Sequence, residues 1–176
     1  MDHYTYTNDY ISQILQSVKT IALVGASAKE VRPSYFVMKY LLDKGYKVIP
    51  INPGLAGQKL LGQTVYASLS DVPEPIDMVD IFRNSQAAGP ITDEALTLSP
   101  LPKVIWMQLS VRNEEAAAKA EAAGLKVVMD RCPKMEYGKL SGEWAWVGGS
   151  TGAISSKKQT MHASGKMQSL GLAPKT

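Results

Sequence analysis

Five short apolar runs recur along the chain: Ile21–Val24, Lys47–Ile51, Asp77–Phe82, Lys103–Met107 and Lys126–Met129. Each is of strand length and rich in valine, isoleucine or aromatic residues, and near-continuous apolar runs of this kind are read as parallel strands buried on both faces. Helical patterns lie between and before them. Ile11, Ile14, Leu15 and Val18 share a face over Tyr10–Val18 behind caps at Thr7 and Asn8, and Val37, Met38, Leu41 and Leu42 do so over Ser34–Lys44, which Gly45 ends. Asn113–Ala123 carries Glu114 and Glu115 in its first turn and stops at Gly124, while Pro90–Leu98 begins on a first-turn proline with Ile91, Ala95 and Leu98 on one face. A shorter helical turn is predicted over Ser68–Val72.

Strand and helix alternating in this order require right-handed crossovers and a sheet covered on both sides. The predicted fold class is therefore α/β: a doubly wound, mostly parallel five-stranded sheet in a three-layer α/β/α arrangement, forming a single domain with a C-terminal extension. The 176 residues, 45% apolar and 20% charged, suit one core. Residues 1–18 are expected to add a helix packed on the domain, 19–138 to form it, and 139–176 to extend from it. That extension includes Trp144, Trp146 and a polar lysine-bearing tail whose last residues are expected to be mobile.

Charge excludes several functions. Nineteen basic and sixteen acidic residues are scattered, with none of the basic stripes that nucleic-acid binding requires. No apolar run reaches membrane-spanning length, and the amino terminus lacks the layout of a signal peptide. One cysteine, Cys132, precludes an internal disulfide, so the expected setting is cytoplasmic.

The chemistry concentrates where strands end. After Ile21–Val24 the chain enters Gly25-Ala26-Ser27 and reaches Arg32-Pro33-Ser34 at the start of the first crossover helix. Gly25 permits a sharp turn, Ala26 and Ser27 keep the walls small, Ser34 is read as the N-cap, and Arg32 supplies a charged donor to phosphate oxygens. A helix N-terminus at a strand end is a natural phosphate site. The loop lacks the glycines of the G-x-G-x-x-G dinucleotide fingerprint and any lysine-serine pair of a P-loop. The second strand ends on Ile51-Asn52-Pro53, without the acidic residue that bonds the ribose in nicotinamide enzymes. Asn52 offers an uncharged amide there, and Pro53 turns the chain outward. These features favour a phosphate-bearing nucleotide over a hydride carrier.

With Arg83 closing the third strand in Asp80-Ile81-Phe82-Arg83, and Trp106-Met107-Gln108 closing the fourth, the residues resemble the small stand-alone coenzyme A-binding domain proteins. These are Rossmann-like relatives of the nucleotide-binding half of the succinyl-CoA synthetase α subunit. The resemblance covers roughly residues 15 to 135. It implies coenzyme A or an acyl-CoA lying across the strand ends, the diphosphate on the first loop, Arg83 meeting a second phosphate, and Trp106 and Gln108 beside the pantetheine.

That synthetase passes phosphate through a histidine in a second domain, and here His3 and His162 sit near the termini, read as surface residues. No metal-ligand spacing is present. Cys132, in Asp130-Arg131-Cys132-Pro133-Lys134, is the one thiol candidate: Arg131 and Lys134 would lower its pKa, and a mixed disulfide with coenzyme A is set against an inert buried cysteine. The expected function is thus cofactor binding without catalysis, as a regulatory or carrier module. An NAD(P)-binding oxidoreductase or redox sensor, and an interaction module with a vestigial nucleotide site, are the competing readings.

Overall fold

The computed structural model describes residues 1–142 together with the short segments Thr160–Met161 and Met167–Gln168. Chain order is α1 (Asn8–Ser17), β1 (Thr20–Val24), α2 (Pro33–Asp43), β2 (Lys47–Ile51), β3 (Lys59–Leu60), β4 (Gln63–Thr64) and β5 (Met78–Ile81). Then follow α3 (Ser85–Ala95), β6 (Val104–Met107), α4 (Glu114–Ala122), β7 (Lys126–Val128) and α5 (Pro133–Ser141). The two later segments pair antiparallel as β8 and β9. All five strands read from the sequence pair in parallel, in the order β2-β1-β5-β6-β7.

The sheet separates two apolar layers. On one face Ile21, Leu23, Val48, Met78 and Trp106 pack with Ile14 and Leu15 of α1, Met38 and Leu41 of α2, and Tyr137 and Leu140 of α5. On the other, Ala22, Ile49, Val79, Ile105 and Val127 meet Ala88 and Ala95 of α3 and the alanine face of α4. Three helix N-termini carry the side-chain caps expected of Thr and Asn: Thr7 accepts from Tyr10 N, Asn84 from Ala87 N and Asn113 from Ala116 N. Leu69–Asp71, predicted as a helical turn, is a single 3₁₀ turn.

Two helices differ from the sequence reading. The helix expected over Pro90–Leu98 starts five residues earlier, because Asn84 caps it. Pro90 consequently sits inside α3 on an exposed face, and the buried positions are Ala88, Thr92 and Ala95. The second is α5, which runs across the boundary expected at residue 138. Its anchors are few, and with Gly138 in its interior it has little periodic signal; packing against α1 and α2 sustains it.

The edge of β7 is closed by the N-terminal arm. Tyr10 Oη donates to Val127 O at 2.9 Å and accepts from Val127 N at 3.1 Å, and Tyr6 Oη accepts from Met129 N at 2.8 Å. Backbone groups that would otherwise invite another strand are thereby satisfied by side chains. His3, read as a surface residue, is buried within this arm: Nε2 lies 2.7 Å from Glu121 Oε1 and Nδ1 lies 2.9 Å from Tyr6 Oη. Trp144, Trp146, His162 and the lysine-bearing tail lie outside the described residues.

One polar pair stands inside the sheet's core. Asp80 is registered against Leu23 on β1 and Trp106 on β6 and is fully buried. Gln108 Nε2 donates to its Oδ1 at 3.0 Å and Oδ2 at 3.3 Å. Burial pushes the Asp80 carboxyl up to about 8, against the smaller opposing effect of the Gln108 bond.

Tyr10→Phe deletes both bonds to Val127, and a loss of about 1–3 kcal/mol is expected in urea unfolding at unchanged m-value. For Asp80 the expected signature is a pH window. Below about pH 4 the carboxyl is protonated in folded and unfolded chains alike, and between about pH 4 and about pH 8 only the folded chain keeps the proton. This residue's contribution therefore falls as pH rises through that window and levels off above it. Asp80→Asn removes the effect, so its melting temperature relative to the unsubstituted protein should climb from pH 4 to pH 8. A constant offset would contradict the assignment.

Candidate functional site

In a sheet ordered β2-β1-β5-β6, the connection leaving β1 runs one way, to β2, and the connection leaving β5 runs the other way, to β6, so β1 and β5 flank a topological switch point. The loop after β1 leads to α2 on one face, and the loop after β5 leads to α3 on the opposite face. The divergence leaves a cavity of about 680 Å³ at the carboxyl ends of the strands.

Gly25 sits at its base with φ +93°, a left-handed conformation that favours glycine. A Cβ built there would lie 2.6 Å from the Phe82 carbonyl oxygen and 3.1 Å from Arg83 Cδ, so the absent side chain is what lets the two loops meet. The N–H groups of Gly25 and Ala26 both point to Ile51 O, at 3.1 and 3.3 Å. These two amides are therefore spent on β2 and are not free for a ligand. Asn52 is likewise engaged: its Nδ2 donates to Ala26 O at 2.7 Å and its Oδ1 accepts from Gly54 N at 2.8 Å. Expected to offer its amide to a nucleotide, Asn52 instead ties the first loop to the turn at Pro53–Leu55.

The residue at the N-cap of α2 is Arg32, which makes no side-chain capping bond; Pro33 follows at the first helical position and Ser34, predicted as the cap, is one further in and buried. The shift is set by proline, which is favoured at the first position and pushes the residue before it into extended geometry. An uncapped first turn leaves the Ser34 N–H open for an acceptor other than a capping side chain. Ser27 Oγ accepts from Lys29 N at 3.1 Å.

Nine of the eleven predicted binding residues line this one cavity: Gly25, Ala26, Ser27, Arg32, Pro33, Ser34, Asn52, Pro53 and Arg83. Trp106 does not. Its side chain lies in the core between β5 and β7, and Nε1 donates to Arg131 O at 2.8 Å. Gln108 is also away from the cavity, its amide held by Asp80. A strand-end position alone did not reveal that even-numbered residues of β6 face the α1, α2 and α5 layer.

The cavity also takes in residues that sequence reading did not single out, among them Lys29, Ser68, Phe82, Ile91 and Glu94. Ile91 and Glu94 are one helical turn apart, a spacing visible in the sequence once the start of α3 is known. Of the four arginines, Arg112 and Arg131 are fully engaged. Arg112 binds Glu114 and His3 O, and Arg131 binds Asp130 O, Tyr4 O and, at 3.8 Å, Glu136. Arg32 and Arg83, the two lining the cavity, have no protein partner among the described residues.

Cys132 occupies the N-cap of α5 and is buried. Of the two residues expected to lower its pKa, Lys134 does so and Arg131 has no part, but the net shift is upward. Burial pushes the thiol up, Asp80 adds to the rise, and the Met135 and Lys134 amides and the Lys134 charge oppose it less strongly. Arg131 is committed to the N-terminal arm. No helix of the described residues is long and apolar enough to cross a membrane.

Comparison with known proteins places these features in a family. The chain is 38% identical over 128 residues to the uncharacterized protein YneT of Bacillus subtilis, covering 72% of this chain and 91% of that one. A hypothetical protein from Pyrococcus horikoshii has a solved structure that superposes with a TM-score of 0.72 at 38% identity, covering 80% of this chain and 99% of its own. An ADP-forming acetate–CoA ligase of Methanocaldococcus jannaschii is 36% identical over 73 residues, 42% of this chain but only 10% of that much longer protein. Residues 19–138, from the start of β1 to within α5, match the CoA binding domain model, and the chain belongs to that family of CoA-binding, Rossmann-like α/β domains.

Proposed function

We propose that this protein binds coenzyme A or an acyl-CoA in the cavity between β1 and β5, as a regulatory or carrier module without a reaction of its own. The observation that carries the reading is the pair Arg32 and Arg83, each without a partner among the described residues, which line one cavity with Lys29 beside an uncapped helix start. Cationic side chains that form no ion pair among the described residues, gathered at one end of a concave site, suit a ligand bearing several phosphates. Membership of the CoA-binding domain family supports coenzyme A as the ligand of this class. NAD(P) fits less well, because the residue following β2 is Asn52 and its amide is occupied within the protein.

Binding without chemistry is favoured by the condition of the two groups best suited to catalysis. His3 has both ring nitrogens engaged by Tyr6 and Glu121 in the N-terminal arm, and Cys132 is buried with its thiol raised. Neither lines the cavity.

Isothermal titration should give saturable one-to-one binding of coenzyme A, tighter than that of NADH. Arg32→Ala and Arg83→Ala should each weaken it by roughly tenfold to a hundredfold, the loss of a charge-assisted bond. No heat of binding at millimolar coenzyme A, or tighter binding of NADH, would overturn the proposal. Gly25→Ala should lower stability by at least about 2 kcal/mol in thermal or urea unfolding and abolish binding with it, since the φ strain and the contact with the Phe82 carbonyl act together.

A further inference from the structure

The cavity differs in chemistry from one end to the other. Around Gly25 it is cationic, since the Arg83 stem lies against that glycine. Further along it is walled by Ile91 and Glu94 of α3 and by Ser68. Glu94 lies nine residues past the first residue of α3, which at the helical rise per residue puts it about 14 Å along the axis from the sheet edge where that helix begins. The two ends are separated by roughly a helix length.

Glu94 is not part of any ion pair among the described residues. Its Oε1 accepts from Leu69 N at 3.3 Å and its Oε2 from Ser70 Oγ at 3.1 Å. These two bonds fix the carboxylate in place, and each oxygen keeps a further acceptor site. A carboxylate held at the wall of a site otherwise suited to phosphates repels phosphate from its own end and attracts an N–H donor instead. Its apolar neighbour Ile91, one turn away, suits the face of a flat ring.

We infer that Glu94 selects the base of the nucleotide, accepting the exocyclic amine of an adenine ring that rests against Ile91. The inference rests on the coenzyme A reading and extends it by assigning the direction in which the ligand lies, phosphates toward Arg83 and base toward Glu94. A base with a carbonyl at the same position, as in hypoxanthine, would set an acceptor against the carboxylate there and leave only the ring N1–H, one atom away and differently directed, as a donor.

The test is isothermal titration of the full chain with coenzyme A and with its hypoxanthine analogue, in which the amine is replaced by a carbonyl and the phosphates and pantetheine are unchanged. Coenzyme A should bind at least about tenfold more tightly. Glu94→Gln keeps a carbonyl oxygen for one of the Leu69 and Ser70 bonds and adds a donor, so it should weaken coenzyme A, strengthen the analogue and narrow or invert the preference. A melting curve checks that the variant is folded. Equal affinity of the two ligands for the unsubstituted protein overturns the inference while leaving the coenzyme A reading intact. An equal loss for both ligands in Glu94→Gln also overturns it, since a merely structural role moves both together. Failure of either ligand to bind the unsubstituted protein removes the coenzyme A reading and the inference together.

Discussion

The site depends on one close approach. The loops leaving β1 and β5 come together because Gly25 has no side chain to hold them apart, its missing Cβ standing where the Phe82 carbonyl oxygen already is. From that contact the two strands send their chains to opposite faces of the sheet, and the space between the diverging loops is the cavity. The same glycine and its neighbour Ala26 donate to Ile51 O, so the end of β2 is drawn into the arrangement. Asn52 completes it by reaching back to the Ala26 carbonyl. The floor of the site is built from backbone, and a closed backbone network of this sort is rigid and polar without being charged.

Because the backbone groups of this floor are largely consumed by one another, recognition passes to the rim. Arg32 and Arg83 are available since no carboxylate of the described residues competes for them, whereas Arg112 and Arg131 have been used to fasten the N-terminal arm across β7. That division has a physical logic. Arginine can bridge several acceptors at once, so it serves equally well to bind carbonyls of a crossing chain or oxygens of a ligand, and what separates the two uses is whether a protein acceptor is already within reach. The buried Asp80–Gln108 pair belongs to a third category, a polar connection between neighbouring strand ends that spends Gln108 on the protein's own interior.

The sheet and most of its helices were legible in the sequence for reasons that are local. Buried parallel strands are short continuous apolar runs, and Thr7, Asn113 and the glycines after α2 and α4 are helix signals that act over a few residues. The misjudged elements are those where local signals were weak or contradictory. Pro90 reads as a helix start, but Asn84 captures the first turn upstream and Pro90 lies on a face where its missing N–H is tolerable. α5 has too few apolar positions to announce itself, and neighbours on α1 and α2 hold it in place.

For the site, the sequence by itself determined that a glycine-led turn, an arginine before a proline-started helix, an asparagine at the end of β2 and an arginine after β5 would lie at the same edge of one sheet, since parallel strands joined by helices put every strand end on that side. Tertiary structure alone decided which way each of those groups is turned and whether it is already bonded. It set Trp106 and Gln108 into the core, because alternate residues of a strand face opposite layers. It spent the amide of Asn52 within the loop, buried Cys132 in the α1, α2 and α5 layer, and brought Glu94 from the last turn of a helix to the wall of the cavity. Proximity at a strand end follows from topology, whereas the availability of a side chain depends on neighbours far away in sequence, and those are settled only when the layers pack.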